Sequence, residues 1–283
     1  MKKETFDGRA VIITGASSGI GKALSLRLAQ EGAWLALAAR DSVRLEALAS
    51  DCQQLGGRAI ALPMDVSDES QCQKMIQHVR DHYGRIDMLI NNAGMSVVSK
   101  LEELSDLCLF KQVMEVNFYG AVHCTFHALL HLKESRGRIV NVSSVGGLLA
   151  APYNTPYVSS KFAMNGFSES LCMELSSDGV SVTLICPYWV ITEFHERYLD
   201  KKGNPKGPSG RALYIKNMMT AEQCADIIME AARGRKRQVV MSPGGLGMWL
   251  KLLVPEWMDK LTIQRFLKPV AKRLGEKKAH GND

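Results

Sequence analysis

"RAVIITGASSGIGKALSLRLAQEG", Arg9 to Gly32, sets an aliphatic run, a glycine-rich turn and an amphipathic helical pattern in immediate succession. Ala10 to Ile13 reads as a buried strand. The glycines at Gly15, Gly19 and Gly21 let the backbone turn tightly and come close to a ligand. From Gly19 the apolar residues Ile20, Leu24 and Leu28 recur at helical spacing, and Gly32 closes the pattern as a C-cap. A helix that starts at such a turn offers unpaired N–H groups and the positive end of its dipole. Gly15, Ser17, Ser18, Gly19, Ile20 and Gly21 are therefore expected to cradle the pyrophosphate of a dinucleotide.

The same rhythm repeats outward from this unit. Strand-like runs stand at 33–39, 58–66, 85–94, 137–144, 180–187 and 238–241. Helical patterns stand between them at 42–57, 69–84, 107–135, 156–177 and 220–234. This alternation predicts an α/β fold, a Rossmann-like doubly wound parallel sheet with helices on both faces. In such a sheet ligands bind beyond the carboxyl ends of the strands. The expected catalytic domain spans residues 1–243. It includes an element-poor lid at 187–219, which holds the Gly/Pro-rich "KKGNPKGPSG" (201–210).

Composition sets the limits. The chain has 283 residues, 46% hydrophobic and 7% aromatic, which suits one sheet domain. No apolar run is long enough to span a bilayer. The start has no apolar segment of the secretory kind, so a cytoplasmic protein is expected. Cys52, Cys72, Cys108, Cys124, Cys172, Cys186 and Cys224 are scattered without a CxxC pair. They read as reduced thiols, and a metal site is not expected. The net charge of +6 is uneven: from Arg233 onward twelve Lys/Arg face four Asp/Glu. The body is then weakly acidic and has no reason to seek nucleic acid.

The strand ends carry the chemistry. The second strand ends at Ala39, where a carboxylate would hold a ribose 2′-OH, and Arg40 follows. That favours NADP(H) over NAD(H), although Arg40 could instead pair with Asp41 or face solvent. In "MDV", Asp65 and Val66 are placed to meet the adenine, with a plain turn carboxylate as the alternative. "NNAG" brings Asn92, Ala93 and Gly94 to the cofactor side and ties strand ends together. Asn117 lies inside a helical pattern, where it either bonds a carbonyl at a kink or orders a water. "NVSS" ends the fifth strand with Ser143 and Ser144, which face opposite ways.

In "APYNTPYVSSKFAM" (151–164), Pro156 suits the first turn of a helix and pushes Thr155 out of it. Tyr153 is then in the loop, while Tyr157 and Lys161 share a helix face at i,i+4. An ammonium there is expected to lower the Tyr157 pKa and make it a usable general acid or base.

Together, Thr14–Gly21, Asn91–Gly94, Asn117, the strand-end serine and Tyr157–Lys161 resemble the short-chain dehydrogenase/reductase family over about residues 6 to 241. The resemblance implies a seven-stranded sheet and a homodimer or homotetramer built on the helices at 107–135 and 156–177. It implies hydride transfer between a nicotinamide and a carbonyl or secondary alcohol. Tyr157 would be the acid/base, Ser144 would hold the substrate oxygen, and Lys161 would bind the nicotinamide ribose. Asn117 would support a water. Pro187, Val190 and Thr192 would meet the carboxamide.

The chain departs from the family pattern at Tyr188, which replaces a usual glycine. It is expected to alter the nicotinamide wall or the pocket mouth. Tyr153, Tyr188 and Trp189 are the expected substrate-side residues, and with Phe194 and Tyr198 they suggest an apolar substrate.

The region 244–283 reads as a basic amphipathic tail. Ile263, Phe266, Leu267, Val270 and Leu274 share one side and Arg265, Lys268, Lys272 and Arg273 the other, with a break at Pro269. It could touch a membrane surface peripherally or dock on the protein. Two rival functions stay open at this level. One is a non-enzymatic dinucleotide sensor or scaffold, and the other a membrane-surface lipid-binding protein.

Overall fold

Strand β1 (Ala10–Thr14) is buried along its whole length, and its side chains divide between two cores. Val11 and Ile13 join Leu24 and Leu28, whereas Ala10 and Ile12 join Ile76 and Val79. A strand that buries both faces belongs in the middle of a sheet covered on both sides. The computed structural model, which describes residues 5–207, 218–241, 253–257 and 259–262, places it there.

The helices and strands follow the predicted alternation. After β1 come α1 (Gly19–Gln30), β2 (Trp34–Ala39), α2 (Ser42–Gln54), β3 (Arg58–Pro63), α3 (Glu69–Tyr83) and β4 (Met88–Asn91). Then come α4 (Cys108–Met114), α5 (Gly120–Ser135), β5 (Arg138–Val142), α6 (Thr155–Glu174) and β6 (Ser181–Pro187). Two short strands, β7 (Val190–Ile191) and β8 (Met219–Thr220), pair with each other before α7 (Ala221–Arg233) and β9 (Gln238–Met241). The main sheet has seven parallel strands in the order β3-β2-β1-β4-β5-β6-β9. The order reverses between β1 and β4, and that switch point opens a crevice beyond the strand ends. Residues of α1, α2 and α7 fill one core, and those of α3, α5 and α6 fill the other.

Two expectations need correction. The pattern at 107–135 is not one regular α-helix: a π-helical turn, Glu115–Tyr119, separates α4 from α5. Its wider turn carries the buried Asn117, whose amide is held from outside the helix. Thr155 is the first residue of α6 rather than a loop residue, with Asn154 as the cap and Pro156 one position further in.

The proposed lid is only partly visible. Residues 187–207 hold β7 and a 3-10 turn, while residues 208–217 lie outside the described residues. The tail positions Ile263 to Leu274, including Pro269, also lie outside them. Leu253, Val254 and Trp257 are exposed. All seven cysteines are thiols.

Candidate active site

Three of the longer helices begin with a side-chain cap: Asp41 for α2, Asp68 for α3 and Thr220 for α7. Helix α1 does not. Its cap residue, Ser18, makes no side-chain capping bond, so the first N–H groups of α1 lack that partner. This start suits an anion better than the others do. The turn before it leaves no room for side chains. A Cβ on Gly15, at φ +64°, would meet Ala93 Cα at 2.8 Å, and one on Gly21 would collide with the Gly15 carbonyl.

The strand ends are tied as "NNAG" suggested. Asn92 Nδ2 donates to the carbonyls of Thr14 (3.0 Å) and Gly15 (3.1 Å). The Thr14 hydroxyl accepts from the N–H groups of Asn92 (3.0 Å) and Ala93 (3.1 Å). At the edge of the crevice, Asp65 Oδ1 accepts from the Ser67 N–H and hydroxyl, and Val66 is buried beneath Gly120. Asp41 does not hold Arg40. It caps α2 and pairs with Arg44 at 3.3 Å, leaving Arg40 exposed.

Four side chains converge beyond β4 and β5. Asn117 Oδ1 accepts from Met95 N (2.7 Å), and its Nδ2 donates to Met95 O (2.9 Å) and Ser160 Oγ (2.9 Å). Asn117 Oδ1 and Lys161 Nζ would lie 3.5 and 4.0 Å from a Cβ on Gly94, so a glycine keeps that space open. Lys161 Nζ donates to Val142 O at 2.9 Å and stands 5.6 Å from the centre of the Tyr157 ring. Ser144 hydrogen-bonds Tyr157 and also accepts from Gly146 N at 3.0 Å. Ser143 turns away, to Asn165 Oδ1 at 2.6 Å.

The electrostatics correct the expected tyrosine. Burial pushes the Tyr157 phenol up to about 12, and the Ser144 bond only partly opposes this. Burial also pushes the Lys161 ammonium down to about 8. Removing the pair from water outweighs their attraction at this separation. Tyr157 is thus a fully protonated acid at neutral pH.

This has a testable consequence. If Tyr157 is the proton donor, as the resemblance implies, an ammonium on Lys161 stabilises the phenolate it leaves behind. The carbonyl-reducing rate should therefore fall as pH rises through about 8. The stability contribution has the opposite sign. Between about 8 and the ordinary 10.5, the unfolded chain holds a proton that the folded chain does not, so stability rises with pH. A pH–rate profile that stays flat from 7 to 10 would show that the Lys161 charge is not used.

The lid roofs this site with aromatic rings. Phe194 lies 6.1 Å from the Tyr157 ring and 5.2 Å from Tyr198. Trp189 stacks on His195 at 5.2 Å. His195 Nε2 bonds Val190 O (3.1 Å) and its Nδ1 bonds the Tyr198 hydroxyl (3.0 Å). A carbonyl only accepts, so Nε2 carries the hydrogen and Tyr198 donates to Nδ1. Pro187 ends β6, Val190 is buried, and the Thr192 hydroxyl caps the next turn through Phe194 N. Tyr188 is 40% exposed, so its ring is not buried in the wall of the crevice. Among the described residues, neither Tyr188 nor Tyr153 makes a ring contact with Tyr157.

Tyr153 adopts φ +65°, a left-handed conformation rare for a bulky residue. Its carbonyl accepts from Ser99 N at 2.9 Å, and Asn154 accepts from Ser96 Oγ at 2.9 Å. Val97 bridges to Leu199 of the lid, and Leu199 to Pro205. Three loops are thereby joined at Tyr153.

Ser160 and His195 were not singled out by the sequence, and Thr14 was read only as the first residue of the glycine-rich motif, not as the hydroxyl that ties the strand ends. A hydroxyl at 160, on the buried face of α6 and three residues after Tyr157, was the available signal for Ser160.

The fold and its relatives define an oxidoreductase that works on CH–OH groups with a nicotinamide cofactor. The family model for short chain dehydrogenase matches residues 9–203, and the chain belongs to that family. It is 35% identical to 11-beta-hydroxysteroid dehydrogenase A of Arachis hypogaea, over 90% of this chain and 75% of that protein. It is 34% identical to 11-beta-hydroxysteroid dehydrogenase-like 2 of Arabidopsis thaliana, covering 95% and 86%. A dehydrogenase/reductase SDR family protein 7-like of Dictyostelium discoideum is 30% identical, covering 92% and 82%. The solved structure of a short chain dehydrogenase/reductase from Burkholderia phymatum, in complex with NAD, superposes with a TM-score of 0.81. It shares 27% identity and covers 90% of this chain and 96% of that one.

Proposed function

We propose that the chain interconverts a carbonyl and a secondary alcohol on an apolar, steroid- or lipid-like substrate, with Tyr157 as the acid/base and NADP(H) preferred. The observation that carries this is the convergence of Tyr157, Ser144, Lys161 and Asn117 beneath an aromatic lid. The hydroxysteroid names of the Arachis and Arabidopsis relatives point to the same substrate class. When bound, the nicotinamide supplies or accepts the hydride. The turn from Gly15 to Gly21 and the uncapped start of α1 hold its phosphates, and Gly94 and Lys161 line its ribose side. Ser144 orients the substrate oxygen, and Tyr157 gives it a proton in reduction or takes one in oxidation.

NADP(H) preference rests on Arg40, exposed beside a strand end without a carboxylate. Arg40→Asp should raise KM for NADPH by at least about tenfold and bring the NADPH/NADH ratio of kcat/KM below that of the parent. An unchanged ratio would remove Arg40 from the cofactor site.

Self-association is proposed through α5 and α6, which expose Phe126 and Leu130, and Phe162 and Met173. Leu130→Glu should lower the mass seen by light scattering if that face is the interface. Among the described residues no helix is long and apolar enough to cross a membrane. Peripheral contact through the basic tail of residues 244–283 remains part of the proposal, tested by sedimentation with anionic vesicles.

A further inference from the structure

Of the lid carboxylates that the reaction above leaves unused, Glu193 reaches across to α2. Glu193 follows Thr192 directly, and Thr192 lies against the phosphate-binding turn: a Cβ on Gly19 would stand 3.2 Å from the Thr192 Cβ. Glu193 Oε2 accepts from Arg44 Nη1 at 2.7 Å and from Arg197 Nη2 at 2.7 Å. Arg197 Nη1 in turn donates to Ser18 Oγ at 2.9 Å. A chain of four polar groups thus runs from the cap of α1, across the lid, to the first turn of α2. One end is Ser18, the cap residue of the expected pyrophosphate turn, and the other is Arg44, four residues after Arg40 on the first turn of the helix that follows β2. Arg44 is only partly neutralised by Asp41, whose Oδ2 is 3.3 Å from its Nε. The hydrogen bond from Arg44 holds the Glu193 carboxyl below its usual range, as expected for an anion in a basic setting.

We propose that Glu193 is a cofactor-selectivity residue: its carboxylate occupies Arg44, and a 2′-phosphate must displace it. β2 ends without an acidic residue, and the lid brings a carboxylate to Arg44, five residues past that strand end. A phosphorylated cofactor exchanges one anion for another on Arg44 and releases the lid from α2. The unphosphorylated cofactor leaves the pair intact. This rests on the reading of the crevice as a dinucleotide site.

The test needs no turnover. Titration calorimetry would measure 2′-phospho-ADP-ribose and ADP-ribose binding to the parent, Glu193→Gln, Arg44→Met and the double variant. Glu193→Gln should tighten the 2′-phosphorylated probe about two- to fivefold, the scale of an exposed ion pair, and leave ADP-ribose unchanged. The gain should vanish in the Arg44→Met background and shrink in high salt. Equal effects on both probes, or the same gain without Arg44, would overturn the proposal and assign the pair to lid packing alone. If the parent binds neither probe, the dinucleotide reading fails and takes the proposal with it.

Discussion

Tyr157→Phe should fold, bind its dinucleotide as the parent does, and lose turnover by about a hundred- to ten-thousandfold, the span that general acid catalysis supplies. The substitution removes one oxygen and keeps the ring against Phe194. Little stability should be lost. The phenol is held by Ser144 alone among the bonds that shift it, and burying it is unfavourable. The diagnostic is therefore a split. Cofactor affinity and melting temperature should stay near the parent values while kcat collapses. Turnover within tenfold of the parent would mean that another group supplies the proton. The pH profile adds a second check. A phenol pushed up to about 12 stays loaded at every accessible pH, so the limb near 8 belongs to Lys161 and not to Tyr157.

Asn117→Leu should have the largest effect on stability. Both hydrogens of its amide are committed, to Met95 O and Ser160 Oγ, and its oxygen receives Met95 N. Leucine keeps the volume and leaves three partner groups without this bond in a site that is 1% exposed. Ser160 Oγ keeps its bond to the Tyr157 carbonyl, so the two Met95 groups are the orphans; at about 1–3 kcal/mol each, a loss of about 2–5 kcal/mol is expected. Against a total of about 5–15 kcal/mol this is a severe change. It should lower the melting temperature by about 5–15 °C. If the asparagine served only to order a water, activity would fall and the melting temperature would not move. Asn117 Oδ1 and Lys161 Nζ border the same open space at Gly94, and a carbonyl oxygen can accept twice, so the residue can still meet a water while holding the π-helical turn in place.

The sequence made the sheet legible because its strands are buried on both faces. Ala10–Thr14 and Trp34–Ala39 are continuous apolar runs, and the glycines that follow β1 admit only a turn into a helix. The residues of the site were legible as types at fixed spacings. What they do to one another was not. The π-helical turn at Asn117 depends on Met95, which is 22 residues away, and hydrophobic periodicity cannot register it. The sign of the Tyr157 shift depends on burial, a property of the packed molecule that i,i+4 spacing does not contain. Arg40 and Asp41 are adjacent, yet helix capping draws Asp41 to Arg44 instead. The pairing of Arg44 with Glu193 spans 149 positions and is visible only once the lid is in place.

The joined loops around Tyr153 bear on how such an enzyme changes its diet. Ser96–Ser99, Tyr153–Asn154 and Leu199–Pro205 are cross-linked by backbone and side-chain bonds, so no one of them is an independent wall. Swapping one segment for a relative's would break pairings in the other two. On the proposed reading, in which Tyr153 lines the pocket, specificity is inherited as a cassette: a transplant that moves all three segments together carries a pocket, and one that moves a single loop carries a fault.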